Sequence, residues 1–339
     1  MDDNFLDTVL LKKNGIPTYH FAHLVDDRLM RTTHVMRAEE WLPSLPLHYQ
    51  LFRAFDLPVL KYAHTAQLMK IENGNKRKLS KRKDPEANVA FFFEAGYPVL
   101  AIKNYLCGIF DSGFEDWKMK NMDLPFSDYV FDFARMPKSG ALFDLKKLDS
   151  VSNIHLSHLS NEELFAQMLD WTGEFRPELH AMMIAERELA FRAIGIQRGT
   201  ERDPKKFTRL SDVEAYLAPF LRGAFEALKS ARGSIALPVP KELAIEVVND
   251  YIEHLDLEMN ANDWISWMRE EAAKFKFARD GAEFKAGGCV GKFGDYAMII
   301  RVAVAGGTNS PDLYEMMRAL GADETRKRLG DFADEMHNR

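Results

Sequence analysis

The sequence predicts an α/β region followed by an all-α region. Runs rich in β-branched and aromatic residues are confined to residues 1–150 of the 339. From about residue 153 onward, helical periodicity and helix-capping signals take over. Hydrophobic residues at 46% and charged residues at 28% are those of an ordinary globular protein, long enough for about two or three domains.

In the first region, TVLL (8–11), THVMR (33–37) and VLKYAHTA (59–66) read as strands. After THVMR, Leu47, Leu51 and Phe55 recur at helical spacing behind a cap at Ser44. Asn73-Gly74 is the strongest turn signal. Asp84-Pro85 reads as N-cap and first residue of a helix that ends at Gly96, with Pro98 beyond. In the second region, Ser160 with Glu163 and Ser211 with Glu214 each fit a capping box. Pro240 opens KELAIEVVNDYIEHLD, and Ser310-Pro311 opens PDLYEMMRALG, which stops at Gly321. Breaks at 230–240 and 280–294 suggest one helical bundle followed by another.

The chain is mildly acidic, with net charge -6 and pI ≈ 6.0, which argues against indiscriminate coating of nucleic acid. Cys107 and Cys289 stand alone, so neither a disulfide framework nor a Cys-rich zinc site is expected, and a reducing cytoplasm suits them. The start, MDDNFLDTVLLKKNG, lacks the features of a signal peptide. The most apolar run, YAMIIRVAVAG, is interrupted by Arg301, so no membrane contact is expected.

Against this acidic background, six of the eight residues from Lys76 to Lys83 are basic. A solvated basic run or a nuclear import patch accounts for such a stretch. Equally, lysines flanking Ser80 on a turn between a hairpin and a helix are suited to fold over a triphosphate, donating to oxygens whose charge grows during in-line attack.

The neighbouring residues distinguish the two. GIPTYHFAHLVDDRLMRTTHVMRAEEWLPSLPLHY (15–49), followed by KLSKRKD (78–84), resembles bacterial-type glutamyl-tRNA synthetase, a class I aminoacyl-tRNA synthetase. There P-T-Y-H, V-D-D, R-x-E-E-W and a K-M-S-K-S loop occur in this order. IKNYL (102–106), FDLKKL (143–148) and IIRVAVAGGTNSPDLYEMMRALG (299–321) extend the likeness along essentially the whole chain. The family's first signature, H-I-G-H, does not occur in the sequence. The resemblance therefore implies the C-terminal part of such an enzyme, unable to form glutamyl-adenylate alone. It implies the C-terminal half of a Rossmann-type catalytic domain over 1–77 and the signature loop with a stem-contact α/β region over 78–152. Two helical anticodon-binding domains are implied over 153–238 and 239–339.

Residue roles follow from the same resemblance. Lys78 and Lys81 are implied at the ATP phosphates, with Ser80 shaping the loop between them. Glu40 and Leu68 fall near the ATP. Tyr19, Arg37 and Trp41 are implied in the glutamate pocket; an arginine ending a strand suits a fork-shaped contact with a substrate carboxylate. Pairing of Arg37 with Glu39 or Glu40 is the structural alternative, and Trp41 is equally readable as core. Asp26 and Asp27 do not share a helix face and are implied to be structural. Arg301 and Ser310, and less closely Lys206, match positions that read the anticodon; Ser310 also reads as an N-cap. The expected activity is ATP-dependent ligation of glutamate to its tRNA, by a cytoplasmic monomer using ATP with Mg²⁺ and no zinc. A non-catalytic tRNA-binding module of the same descent is the alternative.

Overall fold

A computed structural model describes residues 7–138, 140–201, 203 and 205–338. It comprises two compact units, one of residues 1–93 and 98–152, the other of 94–97 and 153–339. The chain is thus α/β and then all-α, as the residue patterns predict.

The first unit opens with helix α1 (Tyr19–Leu29) and a β-α-β arrangement: β1 (His34–Ala38), α2 (Leu45–Ala54) and β2 (Lys61–Thr65). β1 and β2 pair in parallel, which places Arg37 opposite His64. Leu24 of α1 and Leu51 and Phe52 of α2 are buried together, with Phe21, Leu47 and Val59 packed around them. Phe55 lies just past α2 and is exposed, because the helix ends one residue earlier. β3 (Leu68–Glu72) and β4 (Asn75–Lys78) form a hairpin, and β5 (Ala141–Leu142) pairs in parallel with β3. The hairpin turn is Asn73-Gly74, both at positive φ (52° and 80°), as a two-residue turn matched to strand twist requires. Helices α3 (Val89–Glu94), α4 (Val99–Phe110), α5 (Phe114–Lys120) and α6 (Leu145–His158) follow.

The second unit is helical: α7 (Asn161–Phe175), α8 (Pro177–Ala185), α9 (Arg187–Gly195), α10 (Asp212–Leu217), α11 (Arg222–Arg232), α12 (Lys241–His254) and α13 (Ala261–Lys274). Two two-residue strands, β6 (Phe277–Ala278) and β7 (Gly291–Lys292), flank α14 (Gly281–Ala286). Then come α15 (Phe293–Ala305), α16 (Leu313–Leu320) and α17 (Ala322–His337). One apolar core runs from Leu156 to Ala333, across the 238/239 division. Two buried arginines brace it. Arg328 of α17 donates to the carbonyls of Val304 (3.0 Å) and Phe220 (3.4 Å), while Arg232 donates to that of Ala303 (2.6 Å) and pairs with Glu335 (2.9 Å). Buried charges persist only when their donors are met, and here carbonyls at helix ends meet them. Among the described residues no helix is long and apolar enough to cross a membrane.

Several local expectations are corrected. TVLL forms no strand; the pairing near it is an isolated bridge between Leu11 and Pro17. Ser44 does not cap α2, because it already has helical φ/ψ at the end of a 3₁₀ turn over Glu39–Ser44. Asp84 does not cap a long helix: Pro85–Ala87 is one 3₁₀ turn, and the Asp84 carboxylate is taken by basic side chains. Ser211 caps nothing either, since its hydroxyl donates to the Ala95 carbonyl at 2.7 Å. Ser310 is displaced as the N-cap of α16 by Asp312, whose carboxylate accepts from the Glu315 amide at 3.0 Å. The Ser160–Glu163 box forms in full.

Candidate functional site

Arg37 is the centre of a cluster built by β1, α1, α2 and β2. Its Nε donates to His64 Nε2 (3.1 Å), Nη1 to His48 Nδ1 (3.0 Å) and Nη2 to the Trp41 carbonyl (3.3 Å). A guanidinium cannot accept, so both imidazole nitrogens must be acceptors and both rings neutral toward it. His48 is fully buried, and burial, followed by the nearby His23 and Arg37 charges, holds it down to about 3. Burial and then Arg37 lower His64 as well. With Nδ1 accepting, the His48 proton sits on Nε2, which donates to His20 Nδ1 at 3.0 Å. Three of the five guanidinium N–H groups are thus engaged by neutral partners. Among the described residues no carboxylate pairs with Arg37; Glu40 pairs with Lys78 instead.

Aromatic rings wall this cation. Tyr19 lies 4.5 Å from Trp41 and 5.9 Å from His23, and the guanidinium stands 5.0 Å from the Tyr62 ring. His23 Nδ1 lies 2.5 Å from Asp27, fixing the ring so that Nε2 faces the Tyr62 hydroxyl at 3.0 Å. Burial lowers His23 and raises Tyr62 to about 12, so both stay neutral near pH 7. Asp27 is therefore a positioning carboxylate for His23, while Asp26 is exposed on the other side of α1. A groove of about 710 Å³ opens beside this cluster, sharing Tyr62 and His64 with it.

The basic run sits at the end of the β3–β4 hairpin. Lys78 ion-pairs with Glu40, which also accepts from Gln67 at 3.2 Å. Arg77 is held as a fork between Glu72 (2.8 and 3.0 Å) and Asp84 (2.6 and 2.7 Å). Asp84, 2% exposed, further accepts from Lys70 (3.1 Å) and the Ser80 amide (2.8 Å); Arg77 first, then the Ser80 amide and Lys70, hold its carboxyl well below the usual range against the effect of burial. The Ser80 carbonyl in turn accepts from the amides of Lys83 (3.0 Å) and Asp84 (2.8 Å), closing the loop into a single turn. The Leu68 carbonyl accepts from Leu79 at 3.0 Å, so the loop base is tied to β3. Lys81 and Arg82 are exposed and make no ion pair among the described residues.

In the helical unit, Arg301 Nε donates to the Ser310 hydroxyl at 3.1 Å, and that hydroxyl donates to the Pro311 carbonyl at 2.8 Å. Gly306 makes the turn between them, at φ +74°; a Cβ there would come within 2.7 Å of Leu228. Lys206 is not with them. Its ammonium donates to the Ile196 carbonyl (2.7 Å) and the Tyr216 hydroxyl (2.5 Å). Sequence reasoning missed His48, His64, Tyr62 and Asp84. His48 was readable as a polar residue on the buried face of α2, three positions before Leu51; the others show only through strand register and the loop's closure.

A parallel β-α-β unit that offers an arginine at a strand end, beside a lysine-serine-lysine turn and followed by a helical unit, is the arrangement of a class I tRNA synthetase. Sequence comparison agrees. Residues 2–150 match the family described as "tRNA synthetases class I (E and Q), catalytic domain", and residues 288–333 match "Anticodon binding domain". The chain thus carries matches to the catalytic and anticodon-binding domains of class I tRNA synthetases. Among curated relatives it is 38% identical over 333 residues to "Glutamate--tRNA ligase" of Acetivibrio thermocellus, covering 97% of this chain and 60% of that protein. The protein of the same name in Sorangium cellulosum is 39% identical over 350 residues, covering 98% of this chain and 61% of the relative. A crystal structure of a glutamate tRNA ligase from Elizabethkingia meningosepticum, in complex with its amino acid, has the same fold at TM-score 0.63 and 24% identity. That match covers 97% of this chain and 62% of the other. The chain spans about 60% of the length of the curated relatives it matches.

Proposed function

We propose that the protein takes part in glutamate–tRNA ligation: activation of glutamate by ATP as glutamyl-adenylate, then transfer to tRNA. The observation that carries this reading is Arg37, a cation held by neutral imidazoles and a carbonyl, with no carboxylate of its own among the described residues. Its unused N–H groups suit a substrate carboxylate, which forms short, charge-assisted bonds with a guanidinium. Tyr19 and Trp41 wall the same place, so a glutamate side chain fits there with its acid on Arg37. Lys78 and Lys81 flank Ser80 on the braced turn and meet the ATP phosphates, where charge grows on the leaving pyrophosphate. Lys78 must leave Glu40 to do so, whereas Lys81 makes no ion pair among the described residues. ATP brings Mg²⁺, held mainly by phosphate oxygens. Arg301 and Ser310, already in contact, offer one guanidinium and one hydroxyl to an anticodon base. Lys206 contributes less, because its ammonium is committed internally. We place the protein in a reducing cytoplasm as a monomer, with both cysteines free. The domain boundaries at 77/78, 152/153 and 238/239 belong to the same proposal.

The test is isothermal titration with the non-hydrolysable sulfamoyl analogue of glutamyl-adenylate, and with the glutaminyl counterpart. The glutamyl compound should bind more tightly, and Arg37→Ala should cost about 2–5 kcal/mol, the range for losing one partner of a desolvated charge pair. Unchanged affinity in the variant would remove Arg37 from the pocket and the reading with it.

A further inference from the structure

Asp250 and His254 stand one turn apart on α12, and Glu271 reaches toward them from α13. One ligand atom from each lies within 4.8 Å of the others. Asp250 Oδ1 is 3.5 Å from His254 Nδ1, whereas Asp250 Oδ2 is buried and has no hydrogen-bond partner among the described residues. Glu271 is 5% exposed. Tyr296 of α15 is fully buried with its hydroxyl also unpartnered, and it lies close enough to Glu271 and Asp250 that their charges add to burial in raising its pKa. Lys274 answers this cluster, 2.6 Å from Glu271 Oε2 and half-exposed. A buried, unpartnered Asp250 oxygen facing a second carboxylate calls for a cation or a shared proton.

We propose that Asp250, His254 and Glu271 form a Zn²⁺ site that joins α12 to α13. It is independent of the ligase reading and reverses the expectation of no zinc, which rested on cysteine usage. One imidazole nitrogen, two carboxylate oxygens and a water complete a four-coordinate ion. The imidazole excludes Mg²⁺ and Ca²⁺ as the preferred occupants, since both favour all-oxygen shells of six or more ligands. His254 is 46% exposed, so the ion has access from solvent and the ring is free to exchange its bond to the Asp250 carbonyl (2.9 Å) for coordination. Lys274 then remains as a partner for Glu271, the kind of supporting contact that ligating carboxylates keep. Because metal ligands coordinate deprotonated, binding should tighten as pH rises.

The experiment is calorimetric titration of the full chain with zinc chloride, with magnesium chloride as comparison, repeated in buffers of different ionisation enthalpy. One saturable Zn²⁺ site is expected, with proton release and tighter binding as pH rises. Asp250→Asn and His254→Ala should each weaken binding by at least about tenfold, the scale of losses at metal sites, whereas His158→Ala at an exposed histidine should not. His254→Ala changes an exposed residue and keeps the fold. Asp250→Asn without metal should melt no earlier than wild type, since it relieves the carboxylate pair. Absence of a saturable site, equal affinity in both variants, or Mg²⁺ binding as tightly as Zn²⁺ would overturn the proposal and leave a proton-sharing pair.

Discussion

Lys206→Met tests whether a half-buried lysine of the helical unit serves the fold or an RNA. Burial, with the Arg198 charge adding to it, holds the Lys206 ammonium down to about 8 from its ordinary 10.5. The folded protein therefore holds fewer protons than the unfolded chain between those two values, so raising pH through this window favours the folded state. At about 1.4 kcal/mol per pH unit of displacement the ceiling is about 3 kcal/mol, and screening of the part-exposed ammonium brings it to about 1–2 kcal/mol. Near pH 7 the variant escapes this cost but loses the bonds to the Ile196 carbonyl and Tyr216 hydroxyl, each worth about 0.5–1.5 kcal/mol, so the two proteins should be nearly equally stable. Tyr216 keeps its own bond to the Ala193 carbonyl at 2.9 Å. By about pH 9.5 wild type should lead by about 1–2 kcal/mol. Urea midpoints at both pH values, converted with a common slope, measure this. The raised tyrosine pKa values act on both proteins and largely cancel in the difference. Parallel pH profiles would refute the assignment, and a large loss of tRNA affinity at unchanged stability would put Lys206 on the RNA face.

Three further outcomes are expected. With the chain fused to the amino-terminal region of a relative, Lys81→Ala should slow glutamate-dependent ATP–pyrophosphate exchange by roughly 10²–10³. Lys76→Ala should change mainly the salt dependence; equal losses would make the loop a diffuse basic patch. Arg301→Ala should weaken binding of the anticodon arm by about 1–3 kcal/mol if Arg301 reads a base edge, and filter binding at fixed salt would show equal affinities if it does not. The His48 imidazole is neutral in the fold, with its pKa near 3 against 6.5 when unfolded, so its stabilising effect is complete above about pH 6.5 and drains away as pH falls toward 3. His48→Gln should flatten that acid limb of the stability curve, and an unchanged limb would show that other groups set it.

Much of the fold was legible because its signals are local. The strand runs at 33–37 and 59–66, the Asn73-Gly74 turn and the Ser160–Glu163 box all formed, and each depends on neighbours within a few residues. The failures are of two kinds. Ser211, Ser310 and Asp84 carry oxygens that fit a cap by spacing, but each side chain is taken by another partner, whereas Ser44 is already inside a preceding 3₁₀ turn. Capping is worth roughly 0.5–2 kcal/mol, the same scale as a hydrogen bond to another partner, so spacing alone does not decide between them. At the site, Arg37 was legible from its position after an apolar strand. Its imidazole partners were not, because His48 and His64 are 11 and 27 residues away and meet it only through packing of α2 and the register of β2.

The basic loop shows how charge of one sign is sorted by where its counter-charges fall. Six cations lie within eight residues, yet they do not act alike. Arg77 is bound on both sides by Glu72 and Asp84, with no donor direction left for a ligand of its own. Asp84 uses the same carboxylate to hold the Ser80 amide, so the acid that neutralises one cation also sets the turn that presents two others. Lys78 stands over Glu40, an exchangeable partner on the surface, and Lys81 has no ion pair among the described residues. An exposed ion pair is worth about 0–1 kcal/mol, so a triphosphate can displace Glu40 from Lys78 at little cost, whereas no phosphate can compete for Arg77. The local excess of positive charge thus divides into a framework cation (Arg77), one on an exchangeable partner (Lys78), and exposed ones, Lys81 and Arg82 among them, that make no ion pair among the described residues. That division, and not the count of basic residues, is what the proposal of a phosphate-binding turn rests on.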